Sequence, residues 1–531
     1  MIRISEVKVP VDAGRTKGNL NKYIAKHLGI EESDVLDFKI VRRSIDARKK
    51  TDVHYKFNFD VEINKALLAR INPKLYTFTQ SLPVKLQNFV TTKKTVVVVG
   101  SGPAGLFCAL TLARAGVYVV VIERGEQIEN RVETANNILK TGKVDNFNSN
   151  IQFGEGGAGT FSDGKLYTGI NSPLVKNVLE EFYKHGAEEE VLYDAKPHIG
   201  TDKLRIIVKN IREEIVKLNG KFLFNTKFTK FQQQNEKIIA YYSGEHVGSI
   251  VADALVLAIG YSARDTIRYL YEAKINFKQK PFSVGYRIEH LQKDVDICQY
   301  GERFAKILPP ADYKIFQHLP NGRTVYTFCM CPGGVVVPAG SGKEEIVTNG
   351  MSYHARDKEN ANSAILVSVS PKDYESEHPL AGIDFQEKLE KNAYFQANGA
   401  FICTLVKDFL NSEPSAKLGK VVPSVANFVL GDVSKLLPSE LAKSIQDGIK
   451  LFSKKLGFFK DGDAVLTGIE TRSSAPYMIL RNEDKQTNIK NVYAIGEGAG
   501  MAGGIVSSAV DGINIGTEII KRFLKEGSKW E

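Results

Sequence analysis

Two hydrophobic patterns divide the chain. Up to about residue 63, apolar and polar positions alternate, as in strands with one buried face. Ile2 to Val11 predicts a strand and Leu20 to Leu28 a helix. Val35 to Ser44 and His54 to Ile63 predict the two strands of a hairpin. Asn64 to Ile71 predicts a second helix, and Leu82 to Lys94 a linker. From Thr95 the pattern changes to short, uninterrupted apolar runs: Val96 to Val99, Tyr118 to Ile122, Ala254 to Ile259. Runs without a polar face suit strands buried on both sides, as in a parallel sheet covered by helices. Leu174 to His185, Arg205 to Leu218 and Phe385 to Asn411 read as helical. Lys221 to Ile250 alternates again, with turns at Asn235 and Ser243, and predicts a three-stranded meander. A chain of 531 residues exceeds one typical domain. The patterns predict an α/β protein in three parts. These are an α+β unit over 1–92, a discontinuous α/β domain over 93–274 and 462–531, and an inserted α+β domain over 275–461.

The first apolar run ends in Gly100-Ser101-Gly102-Pro103-Ala104-Gly105, and a helical pattern follows. Gly100 permits a tight turn, Gly102 a close backbone approach to a pyrophosphate, and Gly105 close packing of helix on strand. Pro103 suits the first turn of a helix whose free N–H groups face an anion. The next apolar run closes at Glu123, followed by Arg124. An acid there can accept hydrogen bonds from ribose hydroxyls. This order of elements predicts a dinucleotide site.

NAD and FAD share that fingerprint, and three later segments separate them. Gly154 to Lys165 is a second glycine-dense loop carrying Gly157, Gly159, Thr160 and Ser162. Another buried run ends at Gly260. A third ends at Gly496-Glu497 and leads through Gly503-Gly504-Ile505 into a C-terminal helix. A chain that returns to one site from four places wraps a long ligand, and FAD is long. The bare Gly503-Gly504 pair fits backbone pressed against the flavin ring. Ser508, Gly512 and Gly516 lie at fourfold spacing, a small-residue face for helix packing.

These four segments resemble the glutathione-reductase-like flavoproteins. More narrowly, the chain is similar to a bacterial family of FAD-dependent (NAD(FAD)-utilising) dehydrogenases. That likeness rests on Arg43 to Lys50, Gly157 to Leu166, His198 to Thr201, Ser262 to Asp265, Phe282 to His290, Cys329 to Gly334 and Thr471 to Pro476. It covers nearly the whole chain. It implies a Rossmann-like FAD-binding domain with an inserted substrate domain and a small N-terminal domain. It also implies that Glu497 lies near the ribityl chain or the pyrophosphate, and it brings no substrate with it.

Composition narrows the classes further. Hydrophobic residues are 43% and charged residues 25%, ordinary for a globular protein. No apolar span approaches about 20 residues, so no membrane helix is expected. The first residues lack an apolar signal core, and five cysteines show neither a disulfide framework nor zinc spacing. The expectation is a cytoplasmic protein without a metal. Nearly all of the formal net charge of +10 falls in residues 1–94. That asymmetry raises an alternative, a flavoprotein bound to RNA through Arg42, Arg43, Arg48, Lys49 and Lys50. No aromatic RNA-binding signature accompanies them. A non-catalytic flavin scaffold is the third reading.

Candidate catalytic residues follow from position. Lys165 falls in the glycine loop, where it would meet the flavin N5, a substrate carboxylate or only Asp163. Arg287 would bind an anionic substrate and His290 would move a proton, or both are structural. Arg472 sits just before the flavin return. Cys329 and Cys331, one residue apart, read either as a redox pair or as packing near the cavity. A second nucleotide triplet is missing, because Pro338 interrupts the run before Gly340. A transient NAD(P)H therefore fits better than a resident one. The leading reading is an FAD-dependent oxidoreductase moving a hydride between a small, anionic substrate and flavin N5.

Overall fold

The structure is a computed structural model and describes residues 1–14, 20–79 and 94–527. The expected linker from Leu82 lies almost entirely outside the described residues.

The alternating N-terminal pattern becomes a four-stranded antiparallel sheet. Its order is Val35–Asp46, His54–Ile63, Ile2–Pro10, Tyr76–Phe78. Helix Leu20–Leu28 covers it with Leu20, Ile24 and Leu28. The expected second helix over 64–71 is a single 3-10 stretch, Lys65–Ala69, with no buried residue. Only Leu67 and Leu68 pack against the core, partly buried, too small an apolar face to stabilise a longer helix. The unit is not isolated. Its core includes Tyr193, Phe304 and Leu308 from later in the chain. Arg43 bonds the backbone of Tyr193 and Ala195 at 2.8 Å each, and its side chain forks onto Asp194 at 2.6 and 2.9 Å.

The apolar runs form a five-stranded parallel sheet in the order Val492–Ala494, Ala254–Leu257, Thr95–Val99, Tyr118–Ile122, Lys221–Leu223. Val96, Val97 and Val98 are wholly buried because both faces are covered. Helices Pro103–Arg114, Thr201–Lys217 and Ile505–Gly527 cover one face, and helix Arg264–Glu272 the other. The predicted meander forms as strands Thr226–Gln234, Lys237–Gly244 and Gly248–Ala252. The small face of the C-terminal helix seats on helix Pro103–Arg114: a Cβ on Gly512 would lie 2.2 Å from the Ala104 carbonyl.

The second large element is a seven-stranded sheet: Phe316–His318, Thr324–Cys331, Asn360–Val369, Phe282–Leu291, Val465–Glu470, Phe401–Leu405, Phe428–Leu430. Strand Val465–Glu470 lies between two strands of this sheet. The sheet therefore runs past the boundary at residue 461 drawn from the pattern, since an apolar run reads alike in either sheet. The stretch read as one helix from Phe385 to Asn411 is helix Ala381–Gln396, strand Phe401–Leu405 and helix Val406–Asn411. Asn398 and Gly399 break it, with φ of 48° and 81°.

Candidate functional site

A cavity of about 560 Å³ opens at the carboxyl ends of strands Thr95–Val99 and Tyr118–Ile122. In open α/β sheets this is where ligands bind. It runs past Gly157, Gly159 and Gly503–Ile505 to Lys165, Cys329 and Glu470 at the seven-stranded sheet.

At the first end the walls are mostly backbone. Gly100 has φ of 98°, and a Cβ there would lie 2.3 Å from the Ala258 carbonyl. A Cβ on Gly105 would lie 2.0 Å from the Gly100 carbonyl, so both glycines are demanded by the fold. Gly102 differs: its Cβ would meet only the Gly157 Cα, at 3.8 Å. Gly260, Gly503 and Gly504 also line the cavity and would meet nothing within 4 Å. Glu123 takes four bonds, from Ser101 N (2.9 Å), Ser101 Oγ (2.7 Å), Gly125 N (3.0 Å) and Gly154 N (3.1 Å). It braces the two glycine loops from below as well as lining the cavity. Arg124 lies over the Phe153 ring at 4.5 Å and bonds Asp265 and Thr266. Pro103, Ala104 and Ser162 line the cavity, while Ser101, Gly105, Thr160 and Gly496 stand behind it. Those four shape the loops and do not face the space: Gly105 packs helix on strand, as expected, while the expected direct contact of Ser101, Thr160 and Gly496 with the cofactor is corrected. Gly496, for example, donates its N–H to Asp511 at 2.8 Å.

Two residues here escaped the sequence reading. Arg131 is wholly buried and donates to the carbonyls of Asn150, Ile151, Gly154, Glu155 and Gly157 at 2.7–3.2 Å. It holds the second glycine loop in shape, and burial pushes its guanidinium down to about 10. Gln152 accepts from Ser262 at 3.0 Å, yet its buried Nε2 has no partner. Its place beside the glycine loop was the one available signal.

At the other end the four expected catalytic side chains separate. Lys165 faces the cavity; its ammonium donates to the Met330 carbonyl and lies 3.9 Å from Asp163. Burial alone would raise Asp163, but Arg356, Lys165 and His198 hold it below its usual range. Arg472 lines the wall, but its guanidinium is taken by Glu390 and Glu345, each at 2.7 Å. Arg264 meets the same buried Glu390 at 2.7 Å. Arg287 is fully buried and outside the lining. It holds Glu470 at 3.1 Å, Asn362 at 2.8 Å, the Cys329 carbonyl at 2.6 Å and Cys331 Sγ at 3.3 Å. The expectation that it binds substrate is corrected: every nitrogen already serves the wall. His290 is corrected too. Strand alternation sends it to the opposite face, among Tyr313, Phe458 and Phe459, where neither ring nitrogen has a partner. Burial pushes its imidazole down to about 3. Glu470 and Glu497 line the cavity, and burial pushes each up to about 7.

Similarity to known proteins agrees with this geometry. Residues 95–136 match the FAD binding domain family, and residues 281–473 match the family described as FAD-dependent protein, C-terminal domain-like. Residues 1–62 match a domain of unknown function. An uncharacterised protein of Clostridium beijerinckii is 44% identical over 98% of this chain and 99% of its own. The chain belongs to that family of FAD-dependent proteins. Solved structures with some likeness include a geranylgeranyl bacteriochlorophyll reductase-like protein of Thermoplasma acidophilum. It is 13% identical, with a TM-score of 0.36, over 82% of this chain and 80% of that one. The anhydrotetracycline hydroxylase OxyS of Streptomyces rimosus is 12% identical, with a TM-score of 0.33, over 82% and 63%.

FAD is the cofactor, and the residues present fit it. Gly102, Gly260, Gly503 and Gly504 leave a cradle that Cβ atoms would fill without clashing with protein. Gln152 Nε2 is a buried donor still to be satisfied, which a polar ligand edge in the cavity would do. Helices Pro103–Arg114 and Ile505–Gly527 both begin at the cavity, and the first has no side-chain cap. Their free N–H groups and positive dipole ends suit the pyrophosphate and an anionic ring edge.

Proposed function

We propose that this FAD-dependent protein is an oxidoreductase, a dehydrogenase of the glutathione-reductase-like group. It moves a hydride between a small anionic substrate and flavin N5. One observation supports this foremost: the cofactor cradle and the chamber walled by the second sheet are one continuous cavity. Bound FAD supplies the two-electron chemistry, and the protein supplies position, charge and exclusion of water. Lys165 meets the substrate anion. Its ammonium is held by a carbonyl, and its nearest carboxylate, Asp163, is already taken by Arg356 at 2.6 Å. Arg472 is excluded from that role by its two glutamates. Glu497, held near neutrality, can take up or release a proton beside the substrate. A nicotinamide nucleotide docks transiently as electron partner.

The test is anaerobic. FAD-loaded protein is screened with small carboxylates and phosphates and with NAD(P)H for bleaching of the oxidised flavin. An anionic compound is expected to reduce it. Lys165→Met is expected to weaken that compound's apparent Kd about 10- to 100-fold, the value of a charge-assisted hydrogen bond, with FAD content unchanged. A flavin reduced by nothing, or an unaffected Lys165→Met variant, would overturn the reading.

A further inference from the structure

The chamber holds a nucleophile that the proposed hydride transfer does not use. Cys329 lines the cavity and Cys331 lies buried just behind it; neither is in a disulfide. The pairing of Thr324–Cys331 with Asn360–Val369 slips between Phe328 and Cys331, and Cys329 adopts φ of 45° at that bulge. A positive φ is strained for a side chain with a Cβ and is kept where the surroundings impose it. The bulge turns Cys329 toward the cavity, where a regular strand would have put both sulfurs on one face. Arg287 fastens the bulge by donating to the Cys329 carbonyl and to Cys331 Sγ. Cys331 Sγ donates in turn to the Cys329 carbonyl at 3.2 Å.

We propose that Cys329 is a nucleophilic thiol that captures small α,β-unsaturated carbonyl compounds in this chamber. Three groups favour its thiolate. The single Cys331 proton can turn from the Cys329 carbonyl to the Cys329 thiolate, and the charges of Arg287 and Lys165 lie near; together they outweigh burial and lower its pKa, while Cys331 keeps its proton. A thiolate is a soft nucleophile, and its reactivity follows its ionised fraction. Tyr167 and Phe328 wall the same chamber and suit a conjugated, planar compound. In the addition, sulfur bonds to the β-carbon and the C=C π bond breaks. Its electron pair passes to the carbonyl as an enolate, and the α-carbon takes a proton from Glu497. No oxidant or reductant is consumed. A bond between Cys329 and Cys331 would close a small strained ring across one residue, which argues against a disulfide between them. The proposal stands on the cavity and not on the hydride-transfer reading, so either can fail alone.

The probe is N-ethylmaleimide, added to the FAD-loaded protein between pH 5 and 9, with the modified cysteine located by peptide mass mapping. Each unit of lowered pKa raises the thiolate fraction tenfold and costs roughly threefold in intrinsic reactivity. At pH 6 Cys329 is therefore expected to react about tenfold faster than the half-buried Cys298. Cys331→Ala should slow Cys329 and shift its rate profile to higher pH, with Cys298 unchanged. Cys329→Ser should remove the fast adduct. First modification at Cys298, a Cys329 rate that rises only above pH 8, or formation of a Cys329–Cys331 disulfide in place of the adduct would each overturn the proposal.

Discussion

At the cofactor end of the cavity, the groups that face a ligand are backbone N–H groups at two helix starts, with glycines that leave the approach open. At the chamber end they are charged side chains, and most already hold one another. Arg472 and Arg264 share Glu390, Arg287 holds Glu470, and Arg356 holds Asp163. The difference has a physical cause. A helix start cannot satisfy its own first N–H groups, so it stays available to a ligand. A buried side-chain charge is too costly to leave unpaired, so a wall built from such charges neutralises itself. Residues that look catalytic by type are therefore mostly structural here. The groups proposed above to act on a ligand, Lys165, Glu497 and Cys329, are those with incomplete pairing.

The contrast breaks most visibly at the glycines. Gly102→Val should abolish FAD retention while leaving the fold intact, because its side chain enters the open cradle. Gly105→Val should instead cost several kcal/mol of stability, because its Cβ meets backbone at 2.0 Å. The ratio of FAD to protein and the thermal midpoint separate the two outcomes. A Gly102→Val protein that stays yellow would remove the cradle from the pyrophosphate's path.

Arg287→Met tests the other end. It strands the buried Glu470, and loss of one partner of a buried pair costs about 3–5 kcal/mol. Denaturant unfolding should show that loss. A stable variant whose only defect is a raised KM would return Arg287 to substrate binding.

His290 should betray itself through pH. Its folded imidazole titrates near 3, below its ordinary 6.5 in the unfolded chain. Between those values the unfolded state binds more protons, so stability falls as pH falls through that window. His290→Leu should remove that penalty, so its stability relative to the native chain should be about 2 kcal/mol better at pH 5 than at pH 8. Equal pH profiles would place His290 in contact with water or a partner.

The smallest effect is expected where the N-terminal unit docks. Arg43→Ala should cost about 1 kcal/mol by breaking the partly exposed fork onto Asp194, without loss of FAD. The same variant bears on the RNA alternative, since Arg43 faces the rest of the chain. Salt-sensitive RNA binding that Arg43→Ala abolished would mean the fork opens to a phosphate.

What could be read from the chain alone was whatever local backbone chemistry decides. The apolar runs marked the parallel strands, and the glycine turns marked the cofactor end, because both signals sit in adjacent residues. The alternation of strand Phe282–Leu291 puts Arg287 and His290 on opposite faces. It could not say which face was the cavity. That assignment, the placement of Val465–Glu470 in the second sheet and the pairing of Arg472 with Glu390 join residues far apart in sequence. So does the capture of the glycine loop by Arg131, which depends on five carbonyls converging on one buried charge. A side chain's type states what it can bond. Only the packed fold decides which of those bonds its neighbours have already taken, because the cost of leaving a buried charge unpaired is met wherever in the chain a partner can be brought within reach.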